Sequence, residues 1–353
     1  MMITNRRLAV IDTFFPWQLS GFRYWENIQI HAQRPDTLFF ATEPHSDKFP
    51  KIVYPFSQFK KLADSEGITD VYCVFLNLVL SLLGAYTLPD GTQVPGSNPY
   101  INIRDFLMDR KIKLHTTLYP GGGLAQGTRP EFFDIVTANC STIFTNVEEV
   151  LLNIKTSIYQ PVVINTELYN LAARCWSPPF HLIFCAFNYP RKGFPLLVKA
   201  YNSLNSDDFH LHIVGNWEDQ LSQLKNKRYT FHGALQPEKL ALLYQHCHVF
   251  INCSRPDHLA LDGFPTTTAA DAMATGCLLL TTNPRNDQLI LKEGMDYLKI
   301  DAEAQSIIHS LNWISNHTRK AKRIAANGAK TVRSSFNMKK IVNKKLTHLL
   351  GNT

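Results

Sequence analysis

The chain has 353 residues, 45% of them apolar and 18% charged, with a formal net charge of +7. Such a composition excludes a disordered protein and is long enough for two domains of ordinary size. The seven cysteines (Cys73, Cys140, Cys175, Cys185, Cys247, Cys253 and Cys277) are scattered, with no C-x-x-C pair, and read as reduced, mostly buried thiols of a cytosolic protein.

The opening MMITNRRLAVIDTFF has no small-residue cleavage site, so no secretory signal is expected. Apolar β-type runs follow at 8–15, 37–42, 51–56, 71–76, 112–119, 142–146 and 161–165, with helical patterns at 22–33 and 101–111. The uncharged stretch 71–89 is near the minimum length of a membrane span. It contains Asn77, Ser81 and Gly84, and its β-branched first half suits a buried strand better. In the second half, strands are expected at 181–187, 209–215, 229–233, 248–254 and 277–283, and helices at 194–204, 237–247 and 267–276. His246, Cys247 and His248 could hold a metal on paper, but adjacent strand residues point to opposite faces, so a packed core is favoured and no metal site is expected.

Strand–helix alternation implies parallel sheets with crossover helices. That many strands exceed one comfortable sheet. The expected fold is therefore α/β, with two Rossmann-like doubly wound domains facing each other across a cleft. The first spans 1–165 and the second 166–335. A closing helix at 338–350 carries one apolar stripe opposite its lysines. Residues 304–353 hold ten basic residues and no acid, and taking those ten from the total of 36 leaves 26 basic against 29 acidic elsewhere. The surplus is Arg319, Lys320, Lys322, Arg323, Lys330, Arg333, Lys339, Lys340, Lys344 and Lys345, either a solvated face or a patch for anionic lipid, phosphorylated ligands or nucleic acid. Nucleic acid is disfavoured, because the charge is not interleaved with aromatics.

Doubly wound domains bind ligands at the carboxyl ends of their strands. Arg191 and Lys192, before Gly193, stand on such a strand-to-helix loop, where a guanidinium fork beside a point charge suits a diphosphate. Gly215, Asn216 and Gly233 stand at two further strand ends, where bare backbone lets a ring or phosphate approach or simply makes a turn. The stretch LDGFPTTTAADAMATGC, 261–277, places Thr266 or Thr267 as a helix cap, with Asp262 before the turn and Asp271 inside the helix. A helix start holds an anion and carboxylates accept hydrogen bonds from vicinal hydroxyls, so a sugar–diphosphate–nucleoside fits. A surface acid plus a helix-dipole acid is the plainer alternative.

These segments, from HLIFCAF and RKGFPLLVKAY through DGFPTTTAADAMATGC to RIAANGAKTVRSSFNMKKIV, resemble retaining nucleotide-sugar glycosyltransferases of family 4 (glycosyltransferase group 1), which have the GT-B fold. The resemblance implies Asp262 at the donor sugar, Asp271 at the ribose, and Arg191 and Lys192 neutralising the departing diphosphate. Gly263, Phe264, Pro265, Thr266 and Thr267 would hold phosphate and sugar, and Gly215, Asn216, Gly233 and Leu235 complete the donor set. Three departures stand out: both usual glutamates are aspartates, their separation is nine positions rather than eight, and Phe187 replaces an arginine five residues before the lysine.

The first half resembles the family less. Gly21 is the expected close-approach residue after the first strand. His115, Tyr119, Gly121 and Gly122 are candidate acceptor or sugar contacts, and Arg23 and Glu26 could line the acceptor side. The implied activity is transfer of a hexose-type sugar from a nucleoside-diphosphate sugar, UDP favoured over GDP, to a hydroxyl of a glycan or lipid-linked glycan. No metal or other cofactor is required. The implied location is cytoplasmic, with contact at the inner membrane face through the basic C-terminal region, and the closing helix (336–350) crossing back to the first domain. The rivals are a weak or inactive binding relative, a sugar phosphorylase and a sugar-nucleotide epimerase.

Overall fold

The computed structural model describes residues 6–204, 207–257 and 262–351. The chain separates into two compact units, one of Met1–Val163, Asp257–Gly263 and Met338–Thr353, the other of Ile164–Pro256 and Phe264–Asn337. Each is built on one all-parallel sheet.

The first unit runs β1 (Leu8–Phe15), α1 (Phe22–Gln33), β2 (Leu38–Pro44), β3 (Val53–Pro55), α2 (Phe59–Glu66), β4 (Asp70–Val74), α3 (Leu76–Leu82), α4 (Arg104–Asp109), β5 (Lys113–Leu118), α5 (Pro130–Asn139), β6 (Thr142–Thr145), α6 (Glu148–Asn153) and β7 (Ile158–Tyr159). Its strand order is β3-β2-β1-β4-β5-β6-β7, so the sheet reverses direction of winding between β1 and β4. The stretch read as a possible span is β4 plus α3, both packed in the core. Among the described residues, no helix is long and apolar enough to cross a membrane. The strand expected at 161–165 is absent: β7 lies earlier, and Ile164 makes only an isolated bridge to Asn337.

The second unit runs β8 (Phe180–Cys185), α7 (Phe194–Tyr201), β9 (Phe209–Val214), β10 (Tyr229–Phe231), α8 (Pro237–His246), β11 (Val249–Asn252), α9 (Thr267–Ala274), β12 (Leu278–Thr281), β13 (Leu298–Lys299), α10 (Ala304–Asn316) and α11 (Thr318–Ser335). The order β10-β9-β8-β11-β12-β13 is that of a Rossmann sheet, with its switch point between β8 and β11. One face of β8 and β9 is core: Phe180, Leu182, Phe184, Phe209, Leu211 and Ile213 are all buried there. The alternate residues of these strands, His181, His210 and His212 among them, therefore lie on the opposite face.

The closing helix, α12 (Met338–Leu350), packs with the first unit against α1. Its apolar stripe is as expected, but Lys345 is not on the solvent face. Its side chain is 0% exposed, and its ammonium donates to Glu26 Oε1 at 2.7 Å, to Thr117 Oγ1 at 3.0 Å and to the Tyr72 hydroxyl. Burial pushes the Lys345 pKa down, and the Glu26 carboxylate opposes that fall. Arg333 is also withdrawn from the basic patch, because its guanidinium donates to the carbonyls of Thr166, Tyr169 and Ala274. Arg319, Lys320, Lys322, Arg323 and Lys330 on α11, and Lys339, Lys340 and Lys344 on α12, are exposed.

Candidate functional site

The carboxyl edge of the second sheet is built at its switch point. After β8 the chain makes a short turn, Pro190–Lys192, and enters α7 through Gly193 at φ 72°. That residue has to be glycine. A Cβ would stand 2.1 Å from the Cys253 carbonyl oxygen, on the segment following β11. The Arg255 amide donates to the Arg191 carbonyl at 2.7 Å, and the Cys253 thiol donates to the Gly193 carbonyl at 3.2 Å. The backbone carrying both cations is thereby fixed to the neighbouring strand end. The Arg191 guanidinium lies 5.1 Å from the centre of the Tyr189 ring. Lys192 acts electrostatically on Cys185 at the end of β8, where burial foremost pushes the thiol up to about 12 while the ammonium opposes that rise.

The start of α9 stands at the same strand end. Thr266, not Thr267, is the cap: its Oγ1 accepts from the Ala269 amide at 3.4 Å and its carbonyl from the Ala270 amide at 2.9 Å. Thr268 Oγ1 donates to the Cys185 carbonyl at 3.4 Å, tying the first turn to β8. The cationic loop and the positive end of α9 thus share the carboxyl end of β8, which is where a doubly wound domain takes an anion. Phe264 packs edge-on to Tyr297 at 5.1 Å, and Pro265 is buried. Asp262 and Gly263 are half-buried and group with the first unit.

Gly215, at φ 125°, is bare for an internal reason: a Cβ would meet the Ala186 carbonyl at 1.9 Å. Its amide donates to the Gly233 carbonyl at 2.9 Å, and Asn216 Oδ1 accepts from the Asn188 amide at 2.7 Å. These two residues brace the loop after β8. Gly233, at φ 65°, has open space where a Cβ would stand, and Leu235 beside it is half-buried.

Asp271 is 4% exposed, with Tyr169 donating to it and Oδ1 left without a partner among the described residues. Burial holds its carboxyl well above the usual range, and the Tyr169 hydrogen bond offsets only part of that. The acid expected at a ribose is thus a buried side chain of α9 bonded to Tyr169. In the unfolded chain it ionises near its ordinary value of 3.8. Its contribution to stability is therefore full below that pH and is lost as pH rises toward the folded value. Asp271→Asn is expected to gain stability relative to the parent from about pH 4 upward. Urea midpoints across that range measure it, and parallel curves for the two proteins would contradict the assignment.

Several first-unit candidates are corrected. His115 is 1% exposed and its Nε2 pairs with Asp70 Oδ1 at 2.9 Å. Tyr119 is fully buried; its hydroxyl donates to the Pro161 carbonyl at 2.9 Å and accepts from Gln160 at 3.0 Å. Both side chains are bonded within the core rather than presented at the surface. Gly122 is bare because a Cβ would overlap the Phe75 ring at 2.3 Å, whereas Gly121 has open space. Gly21, at φ 63°, admits the turn into α1. Arg23 is committed to Asp12, and Glu26 to Lys345. For Arg23 the signal in the sequence is Asp12, the acid on β1.

Comparison with known proteins finds the same two-sheet architecture. HepE of Anabaena, solved with UDP and glucose, is 13% identical with a TM-score of 0.71, covering 98% of this chain and 99% of its own. Sucrose-phosphate synthase of Thermosynechococcus elongatus is 14% identical with a TM-score of 0.71, covering 96% and 97%. A glycosyltransferase of Rickettsia africae is 13% identical with a TM-score of 0.70, covering 99% and 100%. No curated protein matches in a sequence search. The chain therefore has the two-sheet GT-B fold of these glycosyltransferases, and its residues 178–331 match the family model of glycosyl transferases group 1.

Proposed function

We propose that the chain is a retaining glycosyltransferase of family 4 that moves a hexose-type sugar from a UDP-sugar to a hydroxyl of a glycan or lipid-linked glycan. The observation that carries this reading is the pairing, at the end of β8, of the Arg191–Lys192 loop with the start of α9. As the bond from the sugar's anomeric carbon to the diphosphate oxygen breaks, the departing diphosphate develops about one further negative charge, which fixed cations and helix-end amides stabilise without reorganising. Side-chain cations then do the work otherwise given to a metal. Binding of UDP by HepE supports uridine as the base. Asp262 would face the donor sugar. The exposed cations of α11 and α12 would favour an anionic membrane surface for a cytoplasmic enzyme with a lipid-linked acceptor.

One observation favours a second reading, a relative that binds nucleotide but transfers slowly: Asp271, in the place of the family's second acid, is buried and bonded to Tyr169. A thermal-shift panel of UDP, GDP, CDP and ADP tests the main reading, because a ligand held only by the folded state raises the midpoint by mass action. UDP is expected to give the largest rise, of about 2.7 kcal/mol in stability at a hundredfold excess over its Kd. No response to any diphosphate removes the reading. A UDP response without release of UDP from UDP-glucose in the presence of acceptors selects the second.

A further inference from the structure

Six of the thirteen histidines in the sequence converge on one face of the second sheet, centred on the start of β8, at the end opposite the Arg191–Lys192 loop. His181 lies near the start of β8, His210 and His212 on β9, His232 just after β10, His246 at the end of α8 and His248 at the entry to β11. Register explains the meeting. His181 is level with His210 and Ile183 with His212, so the side chains of 181, 210 and 212 share the face turned away from the Phe180–Leu182–Phe184 core, and α8 delivers His246 onto them. The His181 and His246 rings are 4.0 Å apart between centres.

We infer that His181, His212 and His246 form a binding site for a divalent ion of the zinc type, with His232 as the positioning residue behind it. One ring nitrogen from each of the three lies within 4.8 Å of the others. Nitrogens held at about 2.0–2.1 Å in tetrahedral array stand about 3.4 Å apart. His181 Nδ1 and His212 Nε2 are already 2.9 Å apart, and His246 is exposed, free to swing the remaining fraction. His212 Nδ1 faces His232 Nε2 at 3.0 Å. If His212 donates there, its Nε2 lone pair is left for the ion, the arrangement by which a second imidazole fixes a ligand's tautomer.

His248 is excluded from the ligand set. Its Nδ1 accepts from the His181 amide at 3.0 Å and its Nε2 donates to the Cys175 carbonyl at 2.6 Å, which fixes the backbone of β8 instead. Cys247 is excluded as well: it is fully buried and burial raises its thiol far up. A cavity of about 350 Å³ opens beside the cluster, lined by His181, His246, His248, Arg174, Cys175 and Gln245. It leaves room for a water or an exchangeable ligand at the fourth position. The Arg174 guanidinium in that wall is spent on the carbonyls of Cys247 and Thr275. Three imidazoles with one open position suit zinc, cobalt, nickel or copper rather than magnesium or calcium. A bound ion would clamp the end of α8 to β8 and β9.

The test uses the full-length chain without a histidine tag, stripped with chelator and then titrated with cobalt(II), with zinc(II) as competitor. Visible d–d bands of a tetrahedral nitrogen site are expected, displaced by zinc, together with a zinc-dependent rise of the thermal midpoint reversed by chelator. His246→Gln, at an exposed position, is expected to keep the fold and the UDP response while losing at least about tenfold in metal affinity. His232→Gln is expected to cost about 10–100-fold while leaving the band pattern tetrahedral. Octahedral cobalt spectra, no zinc effect on the midpoint, or equal zinc affinity in the parent and His246→Gln each overturn the site. Because the ion sits at the edge away from the nucleotide loop, a failure of the UDP panel leaves this result standing, and the reverse.

Discussion

Lys192→Ala is expected to lower turnover with a UDP-sugar by about 10²–10³-fold, corresponding to about 3–4 kcal/mol of barrier, and Arg191→Ala by a similar factor. The unfolding midpoint of both variants is expected to stay close to the parent's. The reason lies in how the loop is held. Its position depends on backbone contacts, the Arg255 amide to the Arg191 carbonyl and the Lys192 amide to the Tyr189 carbonyl at 2.9 Å, and alanine keeps both. Gly193→Ala separates the two roles: it leaves both cations in the sequence but drives a Cβ into the Cys253 carbonyl at a left-handed backbone position. That variant should lose stability as well as turnover. Rates of UDP release, measured beside urea midpoints, distinguish the cases. Near-parental turnover in both Lys192→Ala and Arg191→Ala would remove the loop from the chemistry.

The largest change in stability is expected at the other end of the chain. Glu26→Ala leaves the Lys345 ammonium inside the first unit with only the Tyr72 and Thr117 hydroxyls. Removing one partner of a buried ion pair costs about 3–5 kcal/mol, far more than the net worth of the pair. Lys345→Met in the intact background strands Glu26, whose Oε2 already has no partner among the described residues, and should cost a comparable amount. Combining Glu26→Leu with Lys345→Met removes both charges and is expected to recover most of the loss, since a well-packed apolar pair of similar volume often replaces a buried ion pair without penalty. Strict additivity of the single changes in a double-mutant cycle would show that the two groups do not interact.

The alternation of β-type runs with amphipathic segments was enough to read both parallel sheets, because a strand buried on two faces leaves a continuous apolar run and each crossover leaves a 3.6-residue stripe. β13 was missed: two residues, Leu298 and Lys299, are too short to leave any period. α3 was missed because Leu76–Leu82 continues the apolar run of β4 without a break, and a helix buried all round has no polar face to announce it. The strand-to-helix loop that carries Arg191 and Lys192 and the cap of α9 were legible, since turn chemistry and strand ends are local features. Burial is not local. His115, Tyr119 and Asp271 are polar residues in plausible places, and only the folded chain shows that the first two are bonded within the core and the third is sealed under its helix. Lys345 misled for the same reason: its partners stand 319 and 273 positions away in sequence. Of the histidine cluster, the H-L-H run of β9 contributes only His212; His181 joins it through the register of β8 and His246 from the end of α8, which a single sequence does not display.

The first unit is not a continuous piece of chain, and this has a consequence for synthesis. Emerging from the ribosome, residues 1–163 carry Glu26, Tyr72 and Thr117 around a place that only Lys345 fills. Amino-terminal domains ordinarily finish folding while the rest of the polypeptide is still being made. Here residues 164–337 are made before α12, so the first unit is expected to complete its core only when that helix brings Lys345 to Glu26.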